Sequence, residues 1–101
     1  GKVTSTKNDR EEDIMVSQTV VIKNPTGLHA RPAANLAKAA AGVSSKITLT
    51  ANGKTVQAKS ALMIMSAAIK CGTEVVVAAE GENEAADLKA IVELIESGLG
   101  E

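Results

Sequence analysis

The sequence contains no phenylalanine, tyrosine or tryptophan, one cysteine and one histidine. Without aromatic side chains, the core must be filled by Val, Ile, Leu, Met and many alanines, whose small side chains bury little apolar area. The single cysteine, Cys71, cannot form an internal disulfide, which favours a reducing compartment. We expect Cys71 to be partly buried and inert, because no second cysteine supports redox chemistry.

Charge, length and hydropathy exclude several classes of function. The formal net charge of -1 argues against nucleic-acid binding, which requires a basic surface. No apolar run approaches the roughly 18 residues that membrane insertion needs, and no secretory signal opens the chain. We therefore expect a cytoplasmic monomer with one folded domain, since 101 residues are typical of a single domain.

Residues 1–14 differ in character from the rest of the chain. They are polar and charged and lack an apolar period, so we predict that they are disordered. They are a leader, a tail, an interdomain linker or a remnant of cloning. Met15 opens the first apolar segment, and we assign the folded domain to residues 15–101.

Hydrophobic periods and turn signals predict seven elements in the order β-α-β-β-α-β-α. Strands are expected at 16–23, 46–51, 54–58 and 73–79, with Asn52-Gly53 as a type I′ hairpin turn. The first helix ends at Gly42, the second runs from Ser60 to about Ala68, and the third covers 83–96. The inward-facing residues of the first and third helices are Ala33, Leu36, Ala37, Ala40, Leu88, Ile91, Val92 and Ile95. We predict an α+β fold in which a four-stranded, mostly antiparallel sheet carries three helices on one face and threonines on the other.

The segment Thr26-Gly27-Leu28-His29-Ala30-Arg31-Pro32 places a histidine after a glycine turn and at the start of a helix. The free N–H groups of a helix N-terminus stabilise anions, and Arg31 can donate charge-assisted hydrogen bonds to phosphate oxygens. Because proline disfavours α geometry in the residue before it, we expect Arg31 to be the last residue before the helix. No second titratable group in the segment suits a general base, so the pattern favours a group that receives phosphate and passes it on.

The second helix is apolar on nearly every side. We predict that Ile64 and Ala68 face the sheet, which leaves Leu62 and Met65 exposed for transient contact with partner proteins. Neighbouring lysines would attract acidic partners. We call the predicted partner-facing set the docking surface; it consists of Ala34, Lys38, Lys59, Leu62 and Met65.

Two separated stretches carry a family resemblance. The first is Gly27-Leu28-His29-Ala30-Arg31-Pro32-Ala33; the second is Asn52-Gly53-Lys54, followed by Lys59-Ser60 and residues 62–66. Both resemble the HPr family of histidine-containing phosphocarriers of the phosphoenolpyruvate-dependent sugar phosphotransferase system. The resemblance runs from Met15 to about Glu101 and implies an open-faced β-sandwich with the predicted order of elements.

The resemblance also implies a mechanism. His29 would take a phosphoryl group on its δ1 nitrogen from enzyme I and donate it to IIA domains of sugar permeases, with Arg31 assisting. The protein would be a covalent carrier without a cofactor, not an enzyme. Ser60, which we expect to cap the second helix, matches a serine that a dedicated kinase phosphorylates in many Gram-positive relatives. A serine kinase/phosphorylase and a catabolite-control regulator would then be further partners.

Two alternatives remain open from the sequence. One is a regulatory relative of the carrier, which would use the same phosphohistidine to signal nitrogen or carbon state. The other is a small-molecule-binding regulatory domain with a ferredoxin-like α/β sheet, which would need a ligand pocket and would not require His29.

Overall fold

The computed structural model describes residues 16–99, which form four strands and three helices. In chain order these are β1 (Val16–Val21), α1 (Ala30–Ala41), β2 (Lys46–Ala51), β3 (Lys54–Gln57), α2 (Ala61–Ser66), β4 (Glu74–Glu80) and α3 (Glu84–Glu96). The predicted order of elements is confirmed. Within this range no helix has the length and apolarity to cross a membrane. The predicted leader and the start of the domain at Met15 lie outside the described residues.

The strands form one four-stranded antiparallel sheet, as the sequence predicts, and their order in the sheet is β1-β4-β2-β3. Val20 of β1 lies opposite Val75 of β4, and Leu49 of β2 lies opposite Val77 of β4. Because β1 and β2 are both antiparallel to β4, they run in the same direction, and α1 is the crossover between them. The loop that leads into α1 begins at the end of β1, which is an edge strand of the sheet.

A core of small aliphatic side chains lies between the sheet and the helices. The predicted inward-facing residues of α1 and α3 are all buried. Leu36 and Ala33 of α1 have no exposed surface, and neither does Leu49 of β2. Alanines on α1 let the helix approach its neighbours closely, which keeps the packing dense without aromatic residues.

The hairpin and the open face of the sheet also follow the prediction. Asn52 and Gly53 have φ angles of 55° and 76°, the two positive values that a type I′ turn requires. Across β2 and β3, the hydroxyl oxygens of Thr50 and Thr55 are 2.8 Å apart on the face without helices. Threonine suits this position because it combines a β-branched side chain with a polar group that water can reach.

Candidate functional site

The loop between β1 and α1 is fixed at its start by Asn24. The carbonyl oxygen of Asn24 accepts the N–H of Gly27 at 2.9 Å, which closes a turn through Pro25 and Thr26. Its buried side-chain amide donates to the carbonyl oxygen of Gly98 at 2.8 Å. The loop is therefore tied to the segment that follows α3.

Gly27 is required by both conformation and space. Its φ of 73° is left-handed, and a Cβ atom would overlap the carbonyl oxygen of Ile69 and lie 2.7 Å from the Cα of Lys70. The next residue, Leu28, donates its N–H to the same Ile69 oxygen at 2.9 Å and buries its side chain. These contacts hold the loop against the segment that follows α2.

His29 is the N-cap residue of α1, and its side chain is exposed. Its backbone is extended (φ -83°, ψ -161°), and its carbonyl oxygen accepts the N–H of Ala33 at 2.9 Å. The imidazole does not make the capping hydrogen bond, and the first turn of α1 holds no acidic residue. The positive end of the helix dipole therefore meets no carboxylate within that turn and favours an anion beside His29.

Arg31 lies inside the first turn of α1 rather than before it. The helix begins at Ala30, so the expectation that Pro32 would keep Arg31 outside the helix is wrong. The third helical position tolerates proline because a residue there has no intrahelical partner for its N–H. Pro32 is buried, whereas Arg31 is exposed at the helix end where an anion is favoured.

The helix α2 begins at the cap that the sequence predicts. The hydroxyl of Ser60 accepts the N–H of Met63 at 3.2 Å, and Ile64 is fully buried. Leu62 is 73% exposed and Met65 is 38% exposed, which confirms that these side chains face solvent.

The end of α2 differs from the prediction. The helix ends at Ser66, and Ala68 has a left-handed φ of 55°. Ala68 is exposed and Ala67 is buried instead, because the helical period stops before either residue. Met63 is also 41% exposed, so α2 presents more apolar surface than Leu62 and Met65 alone.

The docking surface comes from two neighbouring helices. Ala34 and Lys38 lie one turn apart on the exposed side of α1, and Lys59 is exposed just before α2. The two helices pack against each other. The hydrogen bond from Leu28 to Ile69 brings the residue before His29 to the segment after α2. The two helices that carry or adjoin the predicted site residues therefore lie side by side.

Charge is segregated along the chain, a signal that the sequence analysis missed. Residues 16–73 contain seven lysines and arginines and no Asp or Glu, whereas residues 74–99 contain seven acidic residues and one lysine. The site loop, α1 and α2 belong to the basic stretch, and β4 and α3 belong to the acidic one. The small net charge therefore hides a basic stretch of the chain. A running count of charge along the sequence would have found it.

Cys71 does not occupy the predicted environment. Its side chain is exposed rather than partly buried, because it lies in the turn between α2 and β4, with its Sγ 4.0 Å from the carbonyl oxygen of Lys23. Among residues 16–99, no three His, Cys, Asp or Glu side chains gather into a group that would hold a metal ion.

Comparison with known proteins identifies the family. Residues 16–97 match the family model described as the HPr component phosphorylation site of the phosphotransferase system. The chain belongs to the HPr family. It is 42% identical to the phosphocarrier protein HPr of Treponema pallidum over 83 residues, which cover 82% of this chain and 94% of the relative.

The structural comparison agrees with the family assignment. A crystal structure of HPr from Thermoanaerobacter tengcongensis superposes with a TM-score of 0.79 and 47% identity, covering 84% of this chain and 96% of that chain. The chain is also 40% identical to the HPr-like protein Crh of Bacillus subtilis over 82 residues, which cover 81% of this chain and 96% of the relative. Membership of the HPr family, with its known fold, favours a phosphocarrier over the small-molecule-binding domain considered from the sequence.

Proposed function

We propose that His29 accepts a phosphoryl group from enzyme I and donates it to IIA domains of sugar permeases. The observation that supports this most strongly is the position of His29. The only histidine of the chain is exposed at the N-terminus of α1, with Arg31 in the same turn and no acidic residue there. An exposed nucleophile beside the positive end of a helix dipole and an arginine suits the transfer of a phosphoryl group between two proteins.

The transfer is a nucleophilic displacement at phosphorus. The δ1 nitrogen of His29 forms a bond to phosphorus as the bond between phosphorus and the donor protein breaks, and the donor leaves with the electron pair of that bond. The oxygens of the bound phosphoryl group accept hydrogen bonds from N–H groups at the start of α1 and from the Arg31 guanidinium. The same steps in reverse order deliver the group to the acceptor, so the chain is a covalent carrier without a cofactor.

We infer that both partners bind to the docking surface and present acidic side chains to it. Leu62 and Met65 would fill apolar hollows on the partner, while Lys38 and Lys59 would face its carboxylates. The seven cations and absent acids of residues 16–73 support this choice. The carrier would act in the cytoplasm as a monomer.

Ser60 is a proposed regulatory site. Its hydroxyl caps α2, directly beside the docking surface, and a serine kinase/phosphorylase would modify it there. Phosphoserine would place up to about two negative charges where an acidic partner must bind. A catabolite-control regulator would then recognise the modified form.

A regulatory role in place of sugar transport is the second candidate. The similarity to Crh, whose solution structure is described as that of the catabolite repression HPr, favours it. The two roles differ in the acceptor. A regulatory relative would leave IIA domains unphosphorylated under conditions in which His29 carries phosphate.

The decisive experiment is intact-mass analysis after incubation with phosphoenolpyruvate and enzyme I. We expect one phosphoryl group on the wild-type chain, lost in acid and stable in alkali, as for a phosphoramidate. His29→Ala should take up none. Cys71→Ser, which removes another exposed nucleophile, should take up one as the wild type does. Phosphate on His29→Ala would refute the proposal.

A further inference from the structure

The β2–β3 hairpin holds the C-terminal end of α2 with two side chains. The Asn52 amide donates to the carbonyl oxygens of Ala67 at 3.2 Å and Ala68 at 3.3 Å. The Lys54 ammonium donates to the Ser66 carbonyl oxygen at 3.4 Å and to its hydroxyl at 3.2 Å. The carbonyl of Ser66, the last residue of α2, and those of the two residues after it thus receive donors from a different part of the fold.

The length of α2 explains why these donors matter. It has six residues, far fewer than a helix needs for stability on its own. Its last turn contains no basic residue, so nothing within the helix offsets the negative end of its dipole. Lys54 supplies a positive charge at that end, and Asn52 satisfies carbonyls that the helix leaves without intrahelical donors.

The hairpin is a firm anchor because its own geometry is fixed. Asn52 occupies a left-handed position with φ 55°, and the turn joins two strands paired in register from Ala51 and Lys54 onward. Ser60 caps the other end of α2 through the N–H of Met63. The exposed apolar residues of α2 lie between these two attachments.

We propose that Asn52 and Lys54 are positioning residues that orient α2 for partner binding. They set the direction in which Leu62 and Met65 project, and a partner that binds the docking surface depends on that direction. The inference rests on the proposed docking at α2. It assigns a role to the Asn52-Gly53-Lys54 stretch, which phosphoryl transfer itself does not use.

The test compares four single variants as substrates of enzyme I. Asn52→Gly keeps the left-handed turn and removes the amide, while Lys54→Met removes the ammonium. Lys54→Arg retains a donor and should behave as the wild type. Lys46→Met removes a charge from an exposed position at the start of β2, and is the control for lost charge. For Asn52→Gly and Lys54→Met, we expect KM to rise about threefold to tenfold, with kcat within about twofold of wild type.

Hydrogen exchange of the free carrier separates positioning from direct contact with the partner. The amides of Ile64, Ala67 and Ala68 should exchange about threefold to tenfold faster in Asn52→Gly and Lys54→Met, while those of Val75 and Val77 stay unchanged. Unchanged exchange in α2, or an equal rise of KM in Lys46→Met, would overturn the inference. If wild-type carrier takes no phosphate from enzyme I, the proposed function fails, whereas the exchange data still decide whether the hairpin orders α2.

Discussion

The N–H of Leu28 donates to the carbonyl oxygen of Ile69 at 2.9 Å, and this bond joins the residue before His29 to the segment after α2. Leu28 is buried while His29 is exposed, so the backbone is fixed by the buried residue and the imidazole next to it faces solvent. His29 and α2 therefore share one support, which fixes the proposed nucleophile relative to the proposed docking helix.

Gly27 makes that contact possible, and we expect Gly27→Ala to be much more destabilising than Gly53→Ala. Both glycines have positive φ, so each substitution costs about 1–2 kcal/mol in backbone conformation. At Gly27 the new Cβ also overlaps backbone atoms of Ile69 and Lys70, whereas at Gly53 nothing lies within 4 Å. Urea unfolding of the two variants measures the difference. Equal losses of unfolding free energy would show that the loop accommodates the added Cβ atom at position 27 without further destabilisation.

Arg31→Ala should slow phosphoryl transfer in both directions and leave the fold intact. The guanidinium is exposed in the first turn of α1, and a hydrogen bond from a charged group is worth roughly 1.5–3 kcal/mol. The expected loss is therefore about tenfold or more in rate. Quench-flow measurement of transfer from phosphorylated enzyme I gives this number. Arg31→Lys keeps the charge without the planar set of donors, so its transfer rate should lie between those of the wild type and Arg31→Ala. A wild-type rate in Arg31→Ala would show that Arg31 has no part in the mechanism.

Leu62→Glu should weaken binding to enzyme I and to IIA domains more than it weakens the fold. The side chain is 73% exposed, so the substitution adds no buried charge. Thr19→Glu adds the same charge at an exposed position of β1, on the sheet face without helices, and is the matched control. Titration calorimetry should give at least about a tenfold rise in Kd for Leu62→Glu alone. Equal changes in the two variants would mean that charge, and not the apolar contact, controls binding.

Salt should lower the rate of association with acidic partners, and this effect should depend on the lysines and arginines of residues 16–73. Lys59→Gln, at the rim of the docking surface, should lower the association rate and flatten its dependence on ionic strength. Lys89→Gln removes the one lysine of the acidic stretch and should leave the rate unchanged or slightly raised. Stopped-flow association at several salt concentrations measures both. A similar loss in the two variants would argue against a directed charge effect.

Local sequence patterns were sufficient to predict the helices and strands. Contacts between segments that are distant in sequence could not be predicted from such patterns. The Asn52-Gly53 turn and the α3 stripe depend on near neighbours in sequence, and both are confirmed. The steric demand at Gly27 comes from Ile69, far along the chain, so no local pattern announces it. The same holds for Ala68, whose expected burial assumed that the helical period continues. The helix instead ends at Ser66, and the carbonyl oxygens of Ala67 and Ala68 that follow it accept hydrogen bonds from Asn52 of the hairpin.

The site itself was predictable in part. His29 at a helix start could be expected from Gly27 and Pro32, because a glycine turn and an early proline are typical of helix N-termini. The inclusion of Arg31 in the first turn could not, since the rule for residues before proline pointed the other way.

Substitutions at Ser60 can distinguish its structural role from its proposed regulatory role, since aspartate is both a good helix cap and a partial mimic of phosphoserine. Ser60→Asp should retain the bond to the Met63 N–H and favour the helix dipole, so the melting temperature should fall by no more than about a few degrees. Phosphorylation of His29 by enzyme I should nevertheless slow, because the added charge repels an acidic partner and is costly to desolvate beside Leu62.

Ser60→Ala is the matched control for this prediction. It loses the cap, which costs about 0.5–2 kcal/mol of unfolding free energy, but adds no charge, so any loss of transfer rate should be smaller than that of Ser60→Asp. Rapid-quench measurements give the transfer rates of both variants, and thermal unfolding gives their melting temperatures. If Ser60→Asp and the authentic phosphoserine form both accept phosphate on His29 at the wild-type rate, Ser60 serves only as the cap of α2. A slow Ser60→Ala with a fast Ser60→Asp would instead mean that the order of α2, and not charge, limits transfer.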